Sequence, residues 1–416
     1  MTLEKRNLVK ELRGKKEDVL DLFIHVFCFF SVLLIGADKW GIDIGVNLRI
    51  DQFILIVFGG LLFIRKDLII TKNIPLFFFI VFSVFSFIFS LNKILGVAYL
   101  FSIIYNVIFL LVLFDSYVRR YGLFKFIKIF RLTMYAQFLI LLCQFALKVV
   151  FNFEFSFLPA YGEYMGIPRF NLWFYEPSYL ATYLSFWYVI ALYMLLVKKD
   201  TTYLFDLGLS GIMIVISTAT TGFIALALGF IIVFFIWISK GINKRTLIFI
   251  ASMTVIVIVA CIVFKDILAV FVGRLFGGDL DGASGGRIGG YIESLKVWLD
   301  KPLFGVGPGN YGEYFGQDNS YVPSNVTLEL LATVGLPATI CFYALTFSLI
   351  VKARKINKEI NDYLSNLLYA CALGLLVFTV VLQINQGYLR LYHWMIFGVL
   401  SGGINYLKKR QKAKKD

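Results

Sequence analysis

Long apolar runs bounded by charged residues recur along this chain and restrict its fold more than any other feature. Most of them are close to the roughly 20 residues that an α-helix needs to cross the hydrocarbon core of a bilayer. The runs are continuous rather than alternating, which favours helices over the strands of a barrel. A soluble core of this size does not need 44 phenylalanines among 416 residues. The sequence therefore predicts an all-α polytopic integral membrane protein, with residues 1–416 forming a single membrane domain.

The apolar runs predict about twelve transmembrane helices, the second of them short. Their predicted limits are 20–37, 51–64, 74–91, 95–114, 131–151, 177–197, 202–217, 219–239, 245–265, 324–350, 364–383 and 388–407. The first twenty residues lack the short apolar core and the small-residue cleavage site of a signal peptide, so we expect the first helix to act as an uncleaved insertion signal. The five cysteines fall inside apolar runs without metal-ligand or redox spacing, and we predict no disulfide.

Basic residues are distributed unequally between the two sets of connections. Most of the 40 lysine and arginine residues lie in one set, which includes both termini. The positive-inside rule then predicts that both termini are cytoplasmic. The basic pI of 9.4 reflects this topology and contact with anionic membrane lipid. No basic and aromatic pattern indicates a nucleic-acid partner.

This orientation predicts two large extracytoplasmic loops, at 152–176 and 266–323. The sequence has no Walker loop, no dinucleotide fingerprint and no metalloprotease HExxH motif. We therefore expect any chemistry to take place at the outer face without ATP.

Arginines are few in the predicted external connections, so each one is informative. Arg49 lies between two acidic residues, and we predict a structural role for it. The other four are Arg169, Arg274, Arg287 and Arg390. Arginine holds phosphate oxygens in a bidentate fork, so these four are candidates for binding a phosphate-bearing lipid headgroup. The alternative is that each reaches the membrane headgroups or pairs with a local carboxylate.

The first loop ends in a candidate catalytic carboxylate. Glu176 precedes Pro177, a residue that suits the first turn of a helix. It can act as a general base, accept a hydrogen bond from a sugar hydroxyl, or simply cap the helix. Tyr175 offers an aromatic face to a sugar ring, although aromatic residues also form the ordinary interfacial belt.

An amphipathic helix is predicted over 287–299 in the second loop. At 100° per residue its apolar face consists of Ile288, Tyr291, Ile292, Leu295, Trp298 and Leu299. Such a helix suits the outer membrane interface. Arg287 at its start, beside free backbone amides, makes a workable anion site, and the Tyr291 and Trp298 edge could hold a sugar. The alternative is a helix that only closes the loop.

Three further features of the external segments remain open. The run "FGVGPGNYG" lets the backbone approach a ligand closely or simply turn. Asp279 and Asp281 have the spacing of a metal-binding pair, but a glycine-rich loop favours solvated acids, and we predict no metal site. His393 lies close to Arg390 near the outer end of the last span, where an imidazole could accept a hydroxyl proton.

Several of these segments resemble the Wzy-type O-antigen and capsule polymerases and their relatives, the O-antigen ligases. The resemblance rests on "RFNLWFYEPSYLA" before one span and "TATTGFIALALG" at the start of another. It is strongest in the external segment "SGGR…W…KPLFGVGPGNY…SNVTLELLATVGLPA". Together these cover about residues 165–340.

The resemblance implies a membrane glycosyltransferase of polysaccharide biosynthesis that uses neither a metal nor a cofactor. It also implies a location in the cytoplasmic (inner) membrane of a bacterium. Its substrate would be an oligosaccharide linked to undecaprenyl pyrophosphate, and a chain-length regulator is a candidate partner. Arg169, Arg274 and Arg287 match the external arginines that would hold the pyrophosphate.

The sequence departs from the family pattern at two informative positions. Ligases carry a His-Asn pair where this chain has Ser324-Asn325, which favours a polymerase and leaves Asn325 as a sugar-binding candidate. Thr220 stands where many relatives have an arginine. The alternatives to a polymerase are a ligase, a lipid-linked glycan flippase or transporter, and a peptidoglycan-type transferase. No convincing two-fold repeat supports a transporter.

Overall fold

The protein forms a bundle of α-helices with two short β-hairpins at one end. The computed structural model describes residues 17–43, 47–70, 72–155, 157–160, 162–164, 167–241, 287–317 and 322–413. The predicted span 245–265 lies outside these residues.

The helices follow one another through short connections over most of the chain. Their limits are α1 Val19–Leu33, α2 Ile50–Ile64, α3 Ile74–Ile88, α4 Lys93–Asn106, α5 Leu113–Tyr121, α6 Leu123–Phe151, α7 Pro177–Leu196, α8 Leu204–Ile216, α9 Thr220–Ile238, α10 Arg287–Asp300, α11 Tyr311–Tyr314, α12 Val326–Thr333, α13 Gly335–Ile360, α14 Tyr363–Val381 and α15 Leu391–Lys412. A π-helical turn, Val107–Val112, joins α4 to α5, and 3-10 turns lie at Thr201–Tyr203 and Leu382–Ile384.

Six helical stretches in the described part of the chain are long and apolar enough to cross a membrane. They are Lys93–Tyr121, Leu123–Phe151, Pro177–Leu196, Thr220–Ile238, Gly335–Ile360 and Tyr363–Ile384. Shorter apolar helices lie at Val19–Leu33, Ile50–Ile64, Ile74–Ile88 and Thr201–Ile216. The described part of the chain is thus mostly helical, and the total of twelve spans stays a prediction.

The predicted span 324–350 is wrong in one respect, because the chain breaks within it. Gly335 has a φ of 82° between α12 and α13, a left-handed conformation that side chains other than glycine rarely adopt. A Cβ atom at Gly335 would also overlap the carbonyl of Leu303. The short helix α12 is therefore separate from the apolar helix α13, which continues to Ile360.

Three helices form the centre of the bundle. Almost every side chain of α7 and α14 is buried, and these two helices pack against each other. Helix α15 packs closely on α5 and on the π-helical turn before it. The approach is so close that a Cβ atom at Gly398 or Gly402 would overlap the backbone there. The outer helices instead expose phenylalanine and isoleucine side chains, for example on α3, as expected of surfaces that face lipid.

Polar contacts define two ends of the bundle. At the first, Arg390 pairs with Asp38; we call it the Arg390 end. At the second, Arg131 pairs with Asp206; we call it the Asp206 end. Aspartate and asparagine caps begin several helices, including Asp362 before α14, whose carboxylate accepts the Ser365 amide at 2.8 Å.

The two hairpins lie in connections that lead to the Arg390 end. Strands β1 (Gly41–Asp43) and β2 (Asn47–Arg49) pair antiparallel, as do β3 (Gly162–Tyr164) and β4 (Ile167–Arg169). Strands were not predicted in either connection. The second hairpin lies within the predicted loop 152–176 and places Arg169 opposite Gly162.

A candidate site at the turn between two buried helices

Residues 382–390, between the buried helices α14 and α15, form an irregular turn that other parts of the chain contact from several sides. Asn385 Nδ2 donates to Thr182 Oγ1 of α7 at 3.0 Å, and Gln386 Nε2 donates to the Tyr179 hydroxyl at 2.6 Å. From the π-helical junction, Asn106 Nδ2 donates to the Leu389 carbonyl at 2.9 Å. This 382–390 turn is therefore held in one position by its neighbours.

Arg390 ends the 382–390 turn and is oriented by two contacts. Its Nη1 atom lies 2.9 Å from Asp38 Oδ2, and its guanidinium lies over the Tyr179 ring, 3.7 Å from the ring centroid. Asp38 also pairs with Arg49, whose Nε atom is 3.2 Å from the buried Asp51. Arg49 thus has the local ion pairs that its acidic neighbours predicted. Arg390 is fixed in a geometry that leaves its side chain partly exposed.

Glu329 of α12 brings a buried carboxylate to the same turn, and the sequence did not reveal it. Glu329 is 6% exposed, and its Oε2 atom accepts a hydrogen bond from the Gly387 amide at 3.0 Å. Burial raises the pKa of Glu329 to about 7, although the Gly387 amide and the Arg390 charge oppose that rise. A carboxyl group with this pKa exchanges a proton near neutral pH.

Glu176 lies immediately before Pro177 at the start of α7, as the sequence predicted. Its side chain makes no capping bond to a backbone amide; instead Oε2 accepts the Ser178 hydroxyl at 2.8 Å. The buried Asn171 amide donates to the carbonyls of Phe174 and Tyr175 at 2.6 and 3.1 Å, which fixes the approach to the helix. The Tyr175 side chain is 55% exposed and open to a ligand.

Helix α10 connects Arg287 to the 382–390 turn through Tyr291. The Tyr291 hydroxyl donates to the carbonyls of Ser324 and Gln383, each at 3.3 Å. Burial raises the pKa of Tyr291. The positive charge of Arg287, the first residue of the helix, opposes that rise. Asn325 joins the same group, because its Nδ2 atom donates to the Gln383 carbonyl at 2.8 Å.

Helix α10 does not pack on the protein through its apolar face. Ser294 and Val297 are the buried side chains, whereas Ile292 and Leu299 are exposed. Small side chains therefore permit close packing on α12, and the apolar stripe points away from the protein. Trp298 donates from Nε1 to the carbonyl of Pro302, two residues beyond the end of the helix, at 3.3 Å.

The two remaining arginine candidates are Arg274 and Arg169. Arg274 lies outside the described residues, as do Asp279 and Asp281. Arg169 is the last residue of β4, two positions before Asn171, whose Oδ1 accepts from the Lys39 ammonium at 3.1 Å.

His393 is enclosed by aromatic rings, one turn into α15. The rings of Phe342, Phe378 and Phe397 lie 5.2, 4.9 and 4.7 Å from the imidazole, centroid to centroid. The residue is fully buried, and neither ring nitrogen has a hydrogen-bond partner in the described part of the chain. This environment suits packing and gives the imidazole no polar group with which to exchange a proton.

The glycine-rich segment packs against the protein at two of its glycines. A Cβ atom at Gly307 would overlap Ser90, and one at Gly309 would overlap the Tyr99 ring. Both glycines have positive φ angles, 101° and 72°. The Ser86 hydroxyl donates to the carbonyl of Phe304 at 2.6 Å, which completes the contact with α3. The segment supports the site as a rigid scaffold.

A family comparison adds an independent observation to this geometry. Residues 207–343 match the family model described as O-antigen ligase. The match covers less than half of the chain. The resemblance predicted from the sequence is confirmed, at the level of the O-antigen ligase and polymerase family. Members of this family are glycosyl-transferring membrane enzymes, and the apolar helices described above agree with an integral membrane protein.

The matched segment contains part of the candidate site. Arg287, Tyr291, Asn325 and Glu329 lie inside it, whereas Arg390 lies beyond its end. No curated protein matches the chain.

Proposed function

We propose that this protein polymerises a polysaccharide at the outer face of the bacterial cytoplasmic membrane. It would transfer a growing glycan from its undecaprenyl-pyrophosphate carrier to the next lipid-linked repeat unit. The observation that carries the proposal is the convergence of Arg390, Glu329 and the helix of Arg287 on the 382–390 turn, in a chain that matches the O-antigen ligase family model.

The proposal places the Arg390 end outside the membrane and both termini in the cytoplasm. Its support is the charge distribution, since lysine- and arginine-rich connections adjoin the Asp206 end, as in the last turns of α13. A membrane-impermeant thiol reagent applied to intact cells tests it in a cysteine-free background. Cysteine at Lys296 is expected to react, whereas cysteine at Arg354 is expected to react only after permeabilisation. The reverse pattern would contradict the orientation.

The proposed role of the arginines is to bind the departing pyrophosphate. A polyprenyl pyrophosphate is an activated leaving group, so the donor supplies the energy and the enzyme supplies position and charge. Arg390 and Arg287 are the first candidates, because their elements meet at one turn. Arg169 and Arg274 remain candidates from the sequence. In this mechanism neither a metal nor a nucleotide is required.

The sugar and acceptor groups are proposed to lie around the same turn. Tyr175 offers an exposed ring next to Glu176, which can accept a hydrogen bond from a sugar hydroxyl. Tyr291 and Asn325 already share the Gln383 carbonyl and would border the donor sugar. Trp298 is a more distant candidate on the same helix. A chain-length regulator remains a predicted partner.

A ligase is the second candidate, because the matching family is described by that activity. The discriminating assay supplies purified protein with a fluorescent lipid-linked repeat unit, with and without a lipid A core acceptor. A ladder of products without the core acceptor is expected of a polymerase. Product that appears only when the core acceptor is added would identify a ligase instead.

A further inference from the structure

A buried acidic side chain in an otherwise uncharged helix requires an explanation that packing does not give. Glu329 lies on α12 between Leu328 and Leu330, and burying an ionised carboxylate is costly unless its oxygens are bound. Its Oε2 atom is bound by the Gly387 amide at 3.0 Å, and the Tyr388 amide also faces the carboxylate. The charged and titratable groups that face it are Arg390, Tyr99 and Tyr388.

The surroundings of Glu329 suit the exchange of a proton at one fixed position. The Gly387 amide holds Oε2, and a carboxylate has about four lone-pair positions on its two oxygens, so accepting capacity remains. Arg390 lies in the same turn three residues beyond Gly387 and supplies positive charge without taking up the proton. Glu176, by contrast, has a local partner in the Ser178 hydroxyl.

We propose that Glu329 is the general base that accepts the proton of the attacking sugar hydroxyl. The proposal rests on the glycosyl transfer proposed above and assigns to it a residue that the sequence did not indicate.

The step balances as a simple displacement. The acceptor oxygen forms a bond to the anomeric carbon of the donor, and its proton passes to a carboxylate oxygen of Glu329. The bond between the anomeric carbon and the phosphate oxygen breaks, and its electron pair leaves with the pyrophosphate, which Arg390 and Arg287 would bind. Glu329 then returns the proton to water, and no oxidant, metal or further reactant takes part.

The pKa of Glu329, raised to about 7 by burial, agrees with this role. A general base is most effective when its pKa lies near the working pH, because it is then both substantially ionised and a strong enough proton acceptor. Since only the ionised form can accept a proton, activity should rise with pH through about 7 and then level off.

The test replaces Glu329 with glutamine, which keeps the shape and can still accept the Gly387 amide through its carbonyl oxygen. The measurement is the initial rate of polymer formation from a fluorescent lipid-linked repeat unit between about pH 5.5 and pH 9. We expect Glu329→Gln to lower kcat about 10²- to 10⁴-fold with little change in KM, and to remove the rise near pH 7.

The matched control is Glu313→Gln, which changes an exposed glutamate of α11 whose Oε1 accepts from Asn92 at 2.9 Å. We expect it to keep the rate within about twofold and to keep the pH profile. If Glu329→Gln keeps the rate within about threefold with an unchanged profile, the carboxylate is not the base. An increase in KM alone would assign Glu329 to positioning the turn and would likewise overturn the proposal.

Failure of the proposed function gives a different result. If wild-type protein forms no ladder but transfers glycan to a core acceptor, the polymerase proposal fails, and the same pH comparison on that transfer still decides the role of Glu329. If wild-type protein transfers glycan to neither acceptor, both proposals fall together. Gel filtration of each variant in detergent shows whether the protein is folded.

Discussion

The two ends of the bundle both contain buried charges, but they arrange them differently. At the Asp206 end, Arg131 Nη2 lies 2.6 Å from Asp206 and its guanidinium stacks over Tyr203, while the Tyr135 hydroxyl donates to Asp206 at 2.9 Å. Each group there binds a partner on an adjacent helix. At the Arg390 end, the polar groups instead converge from distant parts of the chain on one irregular turn.

This difference separates groups that join helices from groups that are available for chemistry. Removing one partner of a closed buried pair leaves an uncompensated charge, so the Asp206 end should matter chiefly for stability. At the Arg390 end, the carboxyl group of Glu329 faces backbone amides and an arginine that is shared with Asp38. Groups held this way are suited to meet a charged substrate.

The largest expected effect comes from exchanging one arginine at each end. Arg390→Ala should lower the rate of polymer formation about 10²- to 10³-fold with modest loss of stability, because Asp38 keeps its pair with Arg49. Arg131→Ala should cost about 3–5 kcal/mol of stability while the folded protein keeps its rate, because the buried Asp206 loses the positive charge of its arginine partner. Rates per folded protein and thermal unfolding in detergent provide the comparison. Equal loss of rate in both variants would refute the distinction between the ends.

The second prediction concerns Arg287, at the start of α10. Arg287→Ala should lower polymer formation about 100-fold without changing the protein level, and Arg287→Lys should recover little of it, because lysine lacks the bidentate fork. Gel analysis of the glycan ladder from cells that produce each variant measures this. A normal chain-length distribution with Arg287→Ala would remove this arginine from the mechanism.

The third prediction tests the scaffold under the site. Gly307→Ala should destabilise the protein by about 3 kcal/mol, because the added Cβ atom overlaps Ser90 and the φ angle is positive. Gly208→Ala in α8 is the control, since nothing lies within 4 Å of a Cβ atom there. Thermal unfolding measures both, and equal stability of the two variants would show that the segment is not packed as described.

The fourth prediction follows from the burial of Glu329. The raised pKa means that the folded state favours the protonated form, so this contribution to stability is present below about pH 4.5 and is lost as the pH rises through about 7. At pH 8 the wild-type protein carries the cost of ionisation, and Glu329→Gln does not. We expect the variant to be more stable by about 1–3 kcal/mol at pH 8 and similar at about pH 5. Unfolding curves at the two pH values measure this, and a variant that is less stable at pH 8 would contradict it.

The smallest expected effect is that of a chelator. In the proposed mechanism the arginines neutralise the pyrophosphate, so excess EDTA should change the rate of polymer formation by less than about twofold. Strong inhibition that added magnesium reverses would indicate a metal site, with Asp279 and Asp281 as its candidate ligands.

The sequence predicted the membrane class, the helix that begins at Arg287 and the position of Glu176 before α7. These depend on local signals, namely apolar length, helical periodicity and a proline at a helix start. It did not indicate Glu329, whose contact with Gly387 joins residues 58 positions apart. Nothing in the local sequence "TLELL" distinguishes the proposed base Glu329 from an ordinary acidic residue.

His393 shows how nearness in sequence can mislead. It follows Arg390 by three residues near the predicted outer end of the last span, and it was a candidate for accepting a hydroxyl proton. Arg390 is the last residue before α15, however, and His393 lies one turn inside that helix, among buried phenylalanine rings. The break at Gly335 was missed for a similar reason, since the apolar composition continues across it while its backbone conformation does not.

The packing of residues 305–309 limits how a substrate can reach the site. A lid over an active site must swing on hinges, yet these glycines lie with their backbone pressed against Ser90, Tyr99 and the end of α12. Moving the segment would break the hydrogen bond from Ser86 to the Phe304 carbonyl and separate these packed surfaces. Under the proposed function, residues 305–309 would therefore form a fixed surface beside the lipid-linked glycan and would not act as a lid.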